Sequence, residues 1–233
     1  MSKPANDTAL LIFTRTAAAE AANKNLAPQK SAKSNTNIAK RLIQRTIQTA
    51  AESGLPCIVF TEAEQKGNSF GEKLSNAVQY VLEKGFQKLI VIGNDCLQLN
   101  KAHIQEACIL LQTNDTILAP TTKGGVYLLG ITKNSFDKES FQNISWQSAS
   151  VYIELLYTAS LKNLSVSSLQ VFDDVSGFSD LKKQITLLFF ADVFRKYIIS
   201  LVASFQHFFY NNPFFFFPEK QFSLSGLRAP PLY

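Results

Sequence analysis

The stretch "VIGNDC", residues 91–96, runs an apolar segment straight into a carboxylate, Asp95. Ligands of open α/β sheets bind in the crevice at the carboxyl edge of the strands, so an aspartate delivered there is a candidate ligand residue. It would hold a divalent cation against a diphosphate and so support a leaving nucleotide. A turn or helix-capping role fits the same residue equally well. Thirty residues on, "TTKGGVYLLG" joins Gly124 and Gly125 to a second apolar run. Two glycines there let backbone approach a sugar or a diphosphate, or simply form a hairpin or bulge with nothing bound. Lys123, just before them, could meet phosphate. Asp173 and Asp174 form a second acidic point that either approaches Asp95 across the sheet edge or lies in a solvated turn. Trp146 in "NISWQSAS" either lines a substrate pocket or covers the core.

Other chemistries lack their motifs. No glycine-rich segment ends in Lys followed by Ser or Thr, and no dinucleotide fingerprint follows the first apolar run. There is no Gly-x-Ser-x-Gly elbow, and His103 and His207 are too isolated to define a relay. Cys57, Cys96 and Cys108 are widely spaced beside apolar segments, which suggests buried free thiols in a reducing compartment rather than a disulfide framework or thiolate cage. The N-terminal "MSKPANDTALLIF" does not read as a signal peptide, so a cytoplasmic location is expected.

The elements that must position these residues follow from apolar patterning. With 233 residues and 46% hydrophobic composition, one sizeable core is expected. "ALLIF" reads as a first buried strand. The following "AAAEAANKNLAPQKSAKSNTN" has no apolar period and reads as a mobile loop or short helix. From Ile38 a helix follows, with Ile38, Leu42, Ile47 and Ala50 near one face and Gly54 ending it. "LPCIVFT" is a strand, and "SFGEKLSNAVQYVLEKG" a helix with Ser69 and Glu72 spaced as a capping box. "QKLIVIGND" is a third strand, followed by a helix capped by Asn100, strands at "TILAP" and "GVYLLGI", a weak helix near 148–163, and a strand in "SSLQVFDDV". Continuously apolar strands alternating with helices predict an α/β chain with a mainly parallel sheet covered on both faces.

The net charge of +5 attracts anions without choosing among them. Arg15, Lys24, Lys30, Lys33, Lys40, Arg41 and Arg45 crowd the first part of the chain, as a local anion site or as a solvated basic face. They are not interleaved with a nucleic-acid reader motif, so no nucleic-acid partner is expected. Residues 181–217 are aromatic and apolar but interrupted by charge, and no segment reaches the length of a spanning helix. A helical extension over 181–233 is expected, packed on a domain of residues 1–180 or forming a homodimer contact. Weak peripheral membrane association is the other reading of that end, and Phe214–Phe217 need a cover.

Taken in order, "LLIFTR", "GNSFGEKL", "VIGNDCLQL", "LAPTTKGGVYLLGI" and "NISWQS" resemble an uncharacterised bacterial family of nucleotide-diphospho-sugar transferase-like proteins. The resemblance implies the glycosyltransferase A fold, a Rossmann-like three-layer α/β/α sandwich. It also implies sugar transfer from a nucleotide-diphosphate donor, with Mg²⁺ or Mn²⁺ stabilising the released diphosphate at Asp95. Arg15 and Lys24 would then contact the nucleotide phosphates, Gly124 and Gly125 would shape the donor-acceptor corner, and Lys123, Trp146 and Asp173 would border the substrate pocket. The chain departs from the family pattern at Asn94 and Leu97, where serine and proline are usual. It also departs in the first loop, which lacks the Pro-Gly and basic segment, and at Thr122 and Lys123, where acids are usual. These departures favour a rival reading, a non-catalytic nucleotide-binding or interaction protein on the same scaffold. Cofactor nucleotidyl transfer is a third.

Overall fold

The computed structural model describes residues 7–203 apart from 29, 190 and 191. Its six-stranded sheet is built from β1 (Thr8–Phe13), β2 (Cys57–Phe60), β3 (Lys88–Ile92), β4 (Thr116–Pro120), β5 (Val126–Thr132) and β6 (Val166–Ser168). The spatial order is β2-β1-β3-β5-β4-β6. β1 pairs in parallel with β2 and β3, and β4 with β6, whereas β5 runs antiparallel to both β3 and β4. The sheet is therefore mainly parallel with one reversed strand. The reversal arises because only residues 121–125 separate β4 from β5, far too few for the crossover a parallel neighbour requires.

Both faces are covered, which explains why the inner strands are apolar at every position. Along β1, Ala9, Leu11 and Phe13 point into one layer and Leu10 and Ile12 into the other, following the two-residue period of a strand. The first layer contains α3 (Phe70–Glu83), α5 (Lys138–Gln142) and α6 (Val151–Leu161); the second contains α2 (Ala32–Glu52) and α4 (Lys101–Leu110). The expected α/β/α sandwich is the architecture observed. α7 (Phe178–Leu187) and α8 (Val193–Ala203) add a third cluster, in which Leu181, Ile185, Phe194 and Ile198 bury against Ile38 and Leu42 of α2. His207 and Phe214–Phe217 lie outside the described residues. Among the described residues no helix is long and apolar enough to cross a membrane.

Several local expectations are corrected. Of the two readings of the stretch after β1, the short helix is observed: α1 (Ala17–Asn23) starts at Thr16, whose hydroxyl accepts the Ala19 N–H, and α2 begins earlier than expected, at Ala32 behind the Ser31 cap. This order comes from polar stitching that an apolar period cannot reveal. The Asn35 side chain accepts from Leu26 N at 2.8 Å and donates to the carbonyls of Ala21 at 2.6 Å and Lys24 at 2.8 Å. Leu26, so tethered, is fully buried. Ile47 is 40% exposed rather than inward. Nine residues at 100° each put it opposite Ile38, and Thr46 takes the inner position. Cys57 is exposed because β2 is an edge strand, whose residues 57 and 59 are left uncovered. Ser69 caps α3 by accepting from Glu72 N, but the Glu72 carboxylate reaches Asn68 N instead of closing the box on Ser69.

Candidate functional site

A cleft of about 710 Å³ opens where β1 and β3 end and the β4–β5 turn begins, at the carboxyl edge of the parallel strands. Arg15, Asp95, Lys123, Gly125 and Trp146 all line it, so residues separated by up to 131 positions meet around one cavity.

The floor is an interlocked set of charges. α1 places Glu20 and Lys24 one turn apart, with Lys24 Nζ 2.8 Å from Glu20 Oε1. The same ammonium contacts Asp95 Oδ1 off the end of β3. Arg15 lies 3.6 Å from the other Glu20 oxygen. Asn94 accepts from the Thr14 hydroxyl at 3.0 Å and donates to Glu20 at 3.4 Å, tying the β1 and β3 ends together. Glu20 is 2% exposed and Lys24 is buried, while the Asp95 side chain is 39% exposed toward the cleft. Burial pushes Glu20 up, but Lys24, Asn94 and Arg15 outweigh it and hold the carboxyl below the usual range. Asp95 goes the other way: burial raises it, Glu20 and Asp174 add to the rise, and Lys24 only partly offsets them. Lys24 is desolvated too, yet its two carboxylate partners keep the ammonium above the ordinary lysine range and charged. Cys96, beside this floor, is pushed up to about 12 by burial and is no nucleophile.

The corner raised by the glycines has a definite cause. Gly124 has φ +84°, and a Cβ there would collide with the carbonyl oxygen of Ala149. Its own carbonyl accepts from Tyr152 N at 2.9 Å, so the turn is clamped onto the start of α6. Gly124 is therefore required by packing of chain on chain, and it is Gly125 that faces the cleft. Gly93 also lines the cleft, and a Cβ there would meet nothing within 4 Å. Trp146 both covers the core and lines the cleft. Its Nε1 donates to Phe141 O at 2.7 Å and its ring packs on Phe70 and Phe141, while one side walls the cleft.

The acidic pair after β6 divides. Asp173 is not on the cleft: it accepts from the Thr122 hydroxyl and pairs with Lys183 at 2.7 Å. Asp174 lines the cleft, 3.2 Å from Lys123, whose ammonium also reaches Asp180 at 2.8 Å. Thus Lys123 borders the pocket with its charge already matched. Three charged lining residues were not singled out from sequence, Glu20, Glu62 and Lys73. Lys73 comes from α3 and lies within the quoted "GNSFGEKL"; among the described residues it makes no ion pair. The Glu20–Lys24 spacing of four was the available signal for the first.

A resident divalent cation does not fit this donor set. Asp95 and Glu20 are both committed to Lys24, and among the described residues no three His, Cys, Asp or Glu side chains are grouped to hold a metal ion. The place expected for Mg²⁺ or Mn²⁺ at Asp95 is taken in this structure by the Lys24 ammonium.

Residues 44–148 match a family model described as "Uncharacterized protein conserved in bacteria (DUF2064)". The resemblance to that bacterial family is confirmed. The matched segment includes Lys73, Gly93, Asp95, both glycines of the corner and Trp146, whereas Arg15, Glu20 and Lys24 precede it. No curated protein matches the chain. Among solved structures, a candidate nucleotide-diphospho-sugar transferase from Desulfovibrio desulfuricans G20 superposes with a TM-score of 0.77 at 20% identity, over 85% of this chain and 96% of that one. This shows the fold, glycosyltransferase A-like and Rossmann-like. Rv0371c from Mycobacterium tuberculosis H37Rv, solved in complex with manganese, has a TM-score of 0.46 at 11% identity over 78% of this chain and 99% of that one.

Proposed function

We propose that the cleft binds a nucleotide-diphospho-sugar and that the chain transfers the sugar to an acceptor. The observation that carries this reading is the placement of Arg15 and Lys73 on a cavity of about 710 Å³ at the strand-end crevice, the edge where open α/β sheets bind their ligands. Fixed cations at that position bind and orient a diphosphate and offset the charge that develops on it as the sugar departs. Trp146 and Phe70 supply an apolar wall for a base or sugar ring, and the open space beside Gly93 lets the ligand approach backbone. The work of this chain's residues is binding, orientation and charge offset.

Binding without turnover is a second reading with a specific observation in its favour. The carboxylates lining the cleft are engaged: Glu20 and Asp95 by Lys24, Asp174 by Lys123, and Glu62 by the backbone and hydroxyl of Thr16. None is left free to take a proton from an acceptor hydroxyl without first breaking an ion pair or hydrogen bond.

Calorimetric titration with uridine, guanosine, adenosine and cytidine diphosphates and their sugar conjugates tests the site. One base is expected to bind, and Gly93→Ala is expected to weaken it while leaving the melting temperature unchanged. Absence of binding by the folded protein across the panel would overturn the reading. Release of nucleoside diphosphate from a bound donor marks sugar transfer or donor hydrolysis, release of pyrophosphate marks nucleotidyl transfer, and tight binding with neither product marks a binding protein.

A further inference from the structure

A diphosphate needs positive charge around it, supplied by a metal ion that carboxylates hold or by side chains that carry the charge themselves. The floor of this cleft has the two carboxylates that a cation would need, Glu20 and Asp95, and a lysine ammonium stands between them. The separation of 2.8 Å to Glu20 is that of an ion-paired hydrogen bond, whereas Mg²⁺ requires oxygens at about 2.0–2.1 Å in near-octahedral number. The Lys24 ammonium already stands between Glu20 and Asp95, so a divalent ion could enter only by driving it from its buried seat. Leaving those partners would strand an ammonium whose side chain is 10% exposed, and burying an unpaired charge is strongly disfavoured.

The local sequence explains how the seat came to be filled. Where related proteins are expected to run a Pro-Gly phosphate loop, this chain folds α1, and the four-residue spacing of a helix brings Glu20 and Lys24 together. Asn35 holds the end of that helix through the carbonyls of Ala21 and Lys24, fixing the lysine over the end of β3.

We infer that this cleft takes its diphosphate without a resident divalent cation, Lys24 filling the cation seat at Asp95 while Arg15 and Lys73 supply the positive charge that faces the ligand. The inference rests on the nucleotide-sugar reading for its ligand, but its claim about the seat can be tested without one.

Mn²⁺ alone is titrated into the full chain and followed by electron paramagnetic resonance, and uridine and guanosine diphosphates are titrated by calorimetry in EDTA and in excess Mn²⁺. The wild-type protein is expected to leave Mn²⁺ free, and the nucleotide that binds is expected to do so with dissociation constants agreeing within about twofold between the two buffers. Lys24→Met, which keeps the chain length and removes the charge, is expected to gain Mn²⁺ binding. Lys73→Ala, on the cleft wall, is expected to fold and to weaken the nucleotide about tenfold in both buffers alike. Mn²⁺ bound by the wild-type protein, nucleotide binding lost in EDTA, or a folded Lys24→Met variant that ignores Mn²⁺ would each overturn the inference. If Lys24→Met does not fold, the wild-type and Lys73→Ala arms decide it. If no nucleotide binds in either buffer, the nucleotide-sugar reading falls, while the Mn²⁺ titration still decides who occupies the seat.

Discussion

Gly124 and Gly93 are both glycines at the rim of one cleft, yet their physical demands are opposite. Gly124 combines a left-handed backbone with direct contact on the Ala149 carbonyl, so Gly124→Ala is strained twice. A loss of about 3 kcal/mol in urea denaturation is expected, with the β4–β5 turn parting from the start of α6. Gly93 has neither constraint, which is why Gly93→Ala probes the ligand rather than the fold. At this scale, Asp95, Arg15, Lys123, Gly125 and Trp146, all singled out from sequence, line one cleft, and Lys24 pairs with Asp95 at its floor. Sequence could not divide Asp173 from Asp174, because adjacent residues in a turn point to different sides and no periodicity says which faces in.

At the scale of elements, the pairing of α8 with α2 hangs on Asp192. Its carboxylate caps α8 by accepting from Phe194 N and Arg195 N, and it also pairs with Arg45 of α2 at 2.7 Å. Burial opposes the charged form, but Arg45 and the two N–H groups hold the carboxyl below its usual range. Asp192→Ala removes a cap and strands a guanidinium whose Nε is already buried without a partner. A destabilisation of about 2 kcal/mol by chemical denaturation is expected, with Asp192→Asn losing less because it keeps the capping oxygen. The helices of the first 180 residues were largely legible because apolar spacing marks α3 and caps such as Asn100 mark α4. α1 stayed open between loop and short helix, since its order depends on Asn35 and on the buried ion pair rather than on an apolar stripe.

For the whole molecule, the carboxylates set how stability depends on acid. Asp137 is held at about 2 by the Ser140 hydroxyl and N–H and by Lys162, against an ordinary value of 3.8. Asp173, Asp180, Asp192 and Glu20 are also lowered, each through lysine, arginine or hydrogen-bond partners. A lowered folded-state value means that the stabilisation is complete above the unfolded value and is lost as pH falls through the folded one. Melting temperature is therefore expected to fall steadily from about pH 4 down to about pH 2. Asp95 works in the opposite sense, burial raising its carboxyl, so Asp95→Asn is expected to leave the acid limb set by Asp137 unchanged.

Sequence by itself determined the layered α/β architecture. Strand and helix differ in apolar period, so a chain of 233 residues with continuous apolar strands has few ways to bury them other than between two helical layers. It also placed Asp95 at a strand end, because an apolar run that stops at a carboxylate stops at the edge of a sheet. The five-residue link between β4 and β5 already implied a reversal, and tertiary structure decided how that turn closes against α6. It alone decided what holds Asp95. The contact between Lys24 and Asp95 spans 71 residues, and a pairing across that distance is settled by where β1, α1 and β3 come to rest in space, which no local spacing encodes.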